Sequence, residues 1–587
     1  MNEAAPASGH LPLPKRAWPF AAAVTSGLLL APCFEPWNLS GLVWIWPAPL
    51  FAALWFSPPP RGWRRWRWGF VLGYLAGLAF FLTSLTWFLR VGDVIGTVFA
   101  GIGAWIGICA YLALYPAAFG AFAATVGRWT PHDPTPSPDL EKAHFLSPSR
   151  QADLFGQSID VLRIAMLNGA AWCGLEWLRG VALTGFPWNG LAVALLDHLM
   201  LLQFADVIGA CGYGFVLVFC AVIAFATVIR LIREIQERKR LRPHFDFAAG
   251  VAVVIFLFLY GLGRMTTPPP DTIELRARIL QLNVPLNEKW SEDDDVLRQI
   301  VYDYRDLTRT FVETGRHDLV IWPESALPGH FSYDWVQDFF NDQLLAGDDF
   351  WLLSGMEDFD FAKEEIYNTI VLMRGDTESY QMYKKRHLVP FGEFVPGRGG
   401  WFPVFEWLLG WFITDDFTPG DSLEPLVLEI EDTAIGIIPS ICFENTLADY
   451  TRRFVRRGPQ LIVNVTNDAW FFGSHEPAQH FAHARLRCIE LRRPMARAAN
   501  TGVSGFIDER GSTWDRHNEN GFERVLRDVE TGDTEIRGSL PATLHLATDP
   551  PITIYARIGD AFSIGMGLLA LFATGLWGWK QSRDRTG

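Results

Sequence analysis

The chain has 587 residues, half of them hydrophobic, with 25 tryptophans and 44 phenylalanines, while 19% are charged and the net charge is −14. So apolar a composition excludes a purely soluble protein, and the charge content excludes a chain made only of membrane helices. The acidic balance excludes a nucleic-acid binder, which would need a basic stripe.

The charges are segregated along the chain. Uncharged runs occupy residues 17–34, 36–60, 68–89, 94–127, 207–229, 247–263 and 561–579, and most reach the roughly 20 residues that cross hydrocarbon as helix. An eighth candidate, at 162–181, is interrupted by Glu176 and Arg179. Basic residues set an orientation. Lys15 and Arg16 precede the first run, and Arg61, Arg64, Arg65 and Arg67 follow the second. Arg128 follows the fourth, Arg230, Arg233, Arg238, Lys239, Arg240 and Arg242 follow the run 207–229 (the sixth span when 162–181 is counted), and Lys580, Arg583 and Arg585 close the chain. With eight spans, every one of these clusters falls on the cytoplasmic side and residues 265–558 fall on the other. The first run reads as an uncleaved anchor, because Pro32 before Cys33 spoils a lipoprotein processing box. The polar, proline-rich stretch 129–160 reads as a cytoplasmic insertion without chemistry.

After Thr267-Pro268-Pro269-Pro270 the pattern changes to short apolar runs alternating with charged helical stretches. Strands are expected at Leu275–Val284, Leu319–Trp322, Phe350–Gly355, Thr369–Met373, Ala434–Ile438, Leu461–Val465 and Val503–Ile507. Helices are expected at Arg298–Thr314 and Gln479–Arg493. Buried strands alternating with helices imply sheets covered by helices.

Three words in this segment carry chemistry: Trp322-Pro323-Glu324-Ser325, Lys385-Arg386-His387-Leu388-Val389-Pro390-Phe391-Gly392-Glu393, and Pro439-Ser440-Ile441-Cys442-Phe443-Glu444. A thiol is barely ionised near neutral pH and needs a proton acceptor or a nearby cation. Glu324 suits the general base, and the Lys385 ammonium suits stabilisation of thiolate and oxyanion. The Phe443 backbone N–H is a second oxyanion donor. Alone, a glutamate or lysine is usually a solvated surface group, and a cysteine in apolar surroundings is usually packing. Three reactive types at the ends of apolar runs make a nucleophilic site the better reading. Cys442 and Cys488 are the extramembrane cysteines, and both are expected free.

The order Glu324, Lys385, Cys442 and the words around it resemble the nitrilase superfamily. With the hydrophobic half included, the chain resembles its membrane branch, the apolipoprotein N-acyltransferases. The resemblance extends to Gln281-Leu282-Asn283-Val284-Pro285 with Lys289-Trp290, to Tyr367-Asn368-Thr369, and to Asn467-Asp468-Ala469-Trp470-Phe471 with Gln479-His480-Phe481. In the membrane half it rests on Glu176-Trp177-Leu178-Arg179-Gly180 and Thr184-Gly185-Phe186-Pro187-Trp188. The chain departs from the pattern at Phe443, where the family often has tyrosine, and at Phe471-Phe472-Gly473. Lys384 beside Lys385 makes that word more basic than usual.

The resemblance implies an α/β domain plus a transmembrane bundle: a nitrilase-like αββα sandwich inserted between spans seven and eight. The corresponding domains are 1–264, 265–558 and 559–587. It implies catalytic Glu324, Lys385 and Cys442, supported by Glu393, Phe443 and Glu444, with Trp188, Asn368, Trp470, Glu176 and Arg179 toward substrate. It implies a monomeric enzyme of the bacterial inner membrane with its catalytic domain in the periplasm. Its partners would be a phospholipid acyl donor, such as phosphatidylethanolamine at sn-1, and a diacylglyceryl apolipoprotein acceptor. The aromatic stretch Trp401–Phe412 would dip into lipid. No cofactor is expected. His475, His480 and His483 suggest a metal only weakly, since no cysteine or carboxylate set accompanies them. The rivals are a membrane-tethered amidohydrolase of the same superfamily and a non-catalytic lipoprotein-binding factor.

Overall fold

The computed structural model describes residues 17–131, 148–237, 243–267, 271–313, 315–347, 349–398, 415–516 and 521–586. Lys15, Arg16, the basic residues 238–242 and the aromatic stretch Trp401–Phe412 lie outside the described residues, as do residues 132–147 of the insertion at 129–160.

Among the described residues, five helices are long and apolar enough to cross a membrane: Arg65–Ser84, Val98–Ala123, Ala205–Gln236, Phe245–Thr266 and Ala561–Asp584. Pro148–Val181 forms a 34-residue helix that ends in the Glu176–Arg179 word. The run 17–34 gives the shorter helix Trp18–Leu30. The run 36–60 is not one continuous helix. Its proline-bounded first part folds as a 3-10 turn, Ser40–Trp44, and only Ala48–Phe56 is α-helical.

Contacts show which way these segments run. The carbonyls of Glu35 and Ser84 both accept from Gln479 of the C-terminal domain. At the far end, Trp68 Nε1 donates to Ser57 Oγ and Arg65 donates to the Leu54 carbonyl. The chain therefore crosses the bundle between Glu35 and Ser57 although its helix is short. The helices pack through small residues, as expected where no water drives helices together. A Cβ at Gly69 would lie 2.2 Å from the Gly120 carbonyl, and one at Gly174 would lie 2.4 Å from the Gly567 Cα.

The C-terminal domain is built on two sheets. The larger has strands in the order β11-β1-β2-β3-β4-β5 and the smaller β10-β9-β8-β7-β6. These are β1 (Thr272–Gln281), β2 (Leu319–Trp322), β3 (Trp351–Asp360), β4 (Glu365–Arg374), β5 (Asp376–Lys384), β6 (Leu426–Ile430), β7 (Thr433–Ile441), β8 (Gln460–Thr466), β9 (Met495–Ala499), β10 (Gly505–Ile507) and β11 (Gly538–Ala547). In each sheet the central strands β1-β2-β3 and β7-β8-β9 are parallel.

Side chains alternate across each strand, and both faces are covered. Leu319 and Ile321 of β2 meet Ile437, Leu461 and Val463 of the other sheet. Val320 and Trp322 point the other way, onto Ile300 and Tyr304 of the helix Asp294–Val312 and onto Phe340. The helix Glu476–Leu491 covers the smaller sheet with Phe481, Ala484, Cys488 and Leu491. The layers are therefore helix, sheet, sheet, helix. The second helix does not face solvent: its Ala482, Leu486 and Ile489 join the core of the membrane bundle.

Candidate active site

The three chemical words meet at the carboxyl ends of β2, β5 and β7, where side chains from parallel strands converge. Glu324 follows β2 by two residues, Lys385 follows β5 directly, and Cys442 follows β7 directly. Each is aimed by its backbone. Cys442 adopts φ +51°, left-handed for a non-glycine residue, which turns the thiol away from the strand. Ser325, next to Glu324, sits at φ +45°. Gly355 of β3 packs against that turn so closely that a Cβ there would lie 2.6 Å from the Glu324 Cα.

Lys385 is 1% exposed. Its ammonium donates to Glu393 Oε1 at 2.8 Å and lies 3.6 Å from Glu324 Oε1. Of the two adjacent lysines it is the one turned inward; Lys384 lies over the ring of Tyr367. Asn368 Nδ2 donates to both carboxylates, at 2.8 Å to Glu324 and 2.9 Å to Glu393. The Val389 N–H fixes the other oxygen of Glu393 at 2.8 Å.

Glu444 joins the lysine word to the cysteine turn. Its carboxylate accepts from the Ile441 N–H at 2.9 Å, from the Arg386 and His387 N–H groups at 3.0 and 3.1 Å, and from the Tyr383 hydroxyl at 2.9 Å. The Cys442 carbonyl is held from behind by His480 Nε2 at 3.3 Å and Asn464 Nδ2 at 3.4 Å.

The electrostatics divide the roles. Burial above all, with the Glu324 charge beside it, pushes the Cys442 thiol well above its ordinary value, and Lys385 opposes this. Burial raises Glu324 above the ordinary carboxylate, with Lys385 pulling it down and Glu393 lifting it. Burial alone would lower Lys385, yet Glu393 and Glu324 hold it charged far above its ordinary range. A thiol, a carboxylate with raised proton affinity and a permanent ammonium can together move a proton and stabilise a developing oxyanion.

The membrane half supplies one wall. The Phe443 ring is parallel to Trp188 at 6.4 Å and is flanked by Phe186 at 6.2 Å and His387 at 6.1 Å. Trp188 is buried. Glu176 and Arg179 do not open onto this wall. The Arg179 guanidinium donates to the Trp188 carbonyl at 2.6 Å, and Glu176 accepts from the Leu191 N–H at 2.8 Å and from Trp172. Glu176 and Arg179 thus hold the loop that carries Trp188, and they also line a cavity with Phe80, Tyr115 and Asn189.

Gln479, which stands in the sequence only as part of the Gln479-His480-Phe481 word, is central in the structure. Its Oε1 accepts from Trp188 Nε1 at 2.7 Å, Trp87 Nε1 at 3.1 Å and Asn189 Nδ2 at 3.3 Å. Its Nε2 donates to the Glu35 and Ser84 carbonyls at 2.9 and 3.1 Å. Trp470 is half-buried and packs against Trp290.

The three histidines do not converge. His475 contacts Thr86, and His483 receives the Asn189 N–H. The expectation that no carboxylates accompany them is corrected at His480, where Asp468 and Glu476 gather around the ring. The Arg497 guanidinium sits in that cluster, 2.9 Å from Asp468 and 3.0 Å from His480 Nδ1. It supplies the positive charge those groups need, so the donor set does not fit a cation. Cys442 and Cys488 are both free.

Residues 26–223 match the family described as the apolipoprotein N-acyltransferase N-terminal domain, and residues 276–524 match the carbon-nitrogen hydrolase family. Among curated relatives, an apolipoprotein N-acyltransferase of Methylococcus capsulatus is 32% identical over 502 residues, covering 83% of this chain and 86% of that one. One of Geobacter metallireducens is 30% identical over 497 residues, covering 84% and 85%. A solved carbon-nitrogen hydrolase superfamily protein of Xanthomonas campestris is 17% identical, covers 46% of this chain and 91% of that one, and has a TM-score of 0.29, too low to add weight. The identities to whole-length relatives, spanning both the bundle and the sandwich, carry the assignment: the chain belongs to the apolipoprotein N-acyltransferase family.

Proposed function

We propose that this protein transfers an acyl chain from a phospholipid to the N-terminal α-amino group of diacylglyceryl apolipoproteins, through a thioester on Cys442. The observation that carries the proposal is the Lys385 ammonium, held between Glu324 and Glu393 beside a left-handed cysteine turn. In the first half-reaction Glu324 takes the thiol proton and the sulfur attacks the ester carbonyl, at sn-1 of phosphatidylethanolamine. Lys385 and the Phe443 N–H stabilise the oxyanion. The carbon–oxygen bond then breaks, and the departing lysophospholipid oxygen takes the proton back from Glu324. In the second half-reaction the acceptor's α-ammonium first gives one proton to solvent, and the free amine attacks the thioester. Glu324 takes the second proton from that nitrogen, the carbon–sulfur bond breaks, and Glu324 passes the proton to the thiolate.

The permanent charge on Lys385 supports an electrostatic role for it and leaves Glu324 as the base. A donor of this kind contributes roughly 10²–10³ in turnover. Eight membrane passes place both chain ends in the cytoplasm and the sandwich in the periplasm. This reading is supported by Arg65 and Arg128, which donate to the Leu54 and Trp55 carbonyls at the end of the bundle opposite the Gln479 contacts. The protein acts as a monomer in the bacterial inner membrane.

Intact-mass spectrometry with phosphatidylethanolamine, before and after adding a diacylglyceryl lipopeptide, tests the scheme. An acyl adduct absent in Cys442→Ala, and passed to the peptide amine, is expected. An adduct that decays to free fatty acid with the peptide unmodified would make the protein a hydrolase. No adduct at all would remove the thioester.

A further inference from the structure

One ammonium beside Glu324 has no part in the scheme above. Lys289 lies in the short turn after β1, in a four-residue helix, Leu286–Lys289. Its Nζ donates to the backbone carbonyl of Glu324 at 3.4 Å. The carboxylates that act on it are Glu357 and Glu324, yet no ion pair to Lys289 forms among the described residues. Glu324 is already engaged by Lys385 and Asn368. Burial, only partly offset by Glu357 and Glu324, lowers Lys289 to about 8, the signature of an ammonium short of counter-charge.

Its surroundings point to the membrane surface. The next residue, Trp290, is 52% exposed and meets Trp470 edge to face at 5.3 Å. Phe471, adjacent to Trp470, packs on Trp87 at 4.8 Å, in the loop that ends the membrane helix Arg65–Ser84. Arg90 of that loop donates to the Gly473 carbonyl. The chain beside Lys289 therefore reaches the seam between sandwich and bundle through Trp290, Trp470 and Phe471, with indole rings of the kind that favour the headgroup layer.

We propose that Lys289, beside the Trp290–Trp470 pair, binds the phosphate of the acyl donor's headgroup and so selects phospholipid over neutral ester lipids. An ammonium serves a phosphate as a point charge. The same charge disfavours the cationic α-amino group of the acceptor, so the site distinguishes the two substrates that must enter in turn. This rests on the phospholipid-donor reading of the preceding section.

The test uses the full-length protein in detergent micelles, following acyl-Cys442 by intact mass. Two donors are compared: phosphatidylethanolamine, and the diacylglycerol that carries the same sn-1 ester without phosphate. The ratio of kcat/KM for the phospholipid to that for diacylglycerol is expected to fall about tenfold or more in Lys289→Gln, through KM. It is expected to stay near wild type in Lys289→Arg. An unchanged ratio in Lys289→Gln, whether both rates fall together or neither does, overturns the proposal. Added inorganic phosphate is expected not to compete; strong competition would mean a free-phosphate site and overturn the headgroup assignment. A wild-type protein that takes no acyl chain from phospholipid would instead sink the donor reading itself.

Discussion

The chemistry at Cys442 depends on a few side chains held in opposed electrostatic states. In the proposed scheme Glu324 must be unprotonated to accept the thiol proton, and burial raises its proton affinity. Turnover is therefore expected to fall with acid through a pKa above the ordinary 4.5, with no alkaline loss from Lys385 up to its ordinary 10.5. A pH profile of kcat/KM for acyl-adduct formation checks both limbs; an acid limb at or below the ordinary carboxylate value would contradict the base assignment. Glu444 has no place in the bond-making steps, yet three backbone N–H groups and Tyr383 depend on it. Glu444→Ala leaves those donors buried without an acceptor, at about 1–3 kcal/mol each. It should lower kcat at least tenfold with KM little changed; wild-type kcat would show that the turn holds itself.

The helix Glu476–Leu491 links the two halves of the molecule. Near its first turn Gln479 gathers Trp87, Trp188, Asn189, Glu35 and Ser84, and the adjacent His480 holds the Cys442 carbonyl. At its other end Glu490 accepts the Ala210 N–H, and Arg492 pairs with Asp206 at 2.9 Å. Gln479→Leu strands two indole N–H groups and two carbonyls. The expected result is a clear fall in melting temperature in detergent, about 2–4 kcal/mol, together with slower acylation. Unchanged melting and turnover would mean that the junction rests on apolar packing alone.

This helix also marks the limit of what the sequence reveals. Strands β2 and β7 are buried on both faces and read as continuous apolar runs. The three chemical words are legible because each packs its chemistry into neighbouring positions. Strands β5 and β11 are not legible: they are the edges of the larger sheet, β5 is mostly polar, and β11 contains Pro541. Strand β9 hides because its Arg497 is buried in a polar cluster rather than in an apolar stripe. Gln479, His480, His483, Arg487 and Glu490 look like a solvated helix face, yet all are buried. Their partners lie up to 444 residues away in the chain, beyond the reach of any local pattern.

For the molecule as a whole, the apolar segments alternate toward and away from the sandwich, so sidedness can be tested with one label. Val529 is 97% exposed on the sandwich, while Cys33, Cys109, Cys173, Cys220 and Cys488 are buried. In intact cells with a permeabilised outer membrane, Val529→Cys in a Cys442→Ala background should react with a membrane-impermeant maleimide without lysis. Labelling only after the inner membrane is opened would invert the topology.

The pairing of β1 with β11, running from Thr272 opposite Ala547 to Gln281 opposite Gly538, also bears on biosynthesis. β1 leaves the ribosome long before its antiparallel neighbour exists, and until then one edge of the larger sheet has unpaired amides. The final helix, which packs on Pro148–Val181 through Gly174 and Gly567, comes later still. A chain grown as far as Cys442 thus holds Glu324, Lys385 and Cys442 but not yet β8, β9 or the helix Glu476–Leu491, whose His480 holds the Cys442 carbonyl. The surroundings that aim Cys442 are completed only after the strands and helix that follow it have been made.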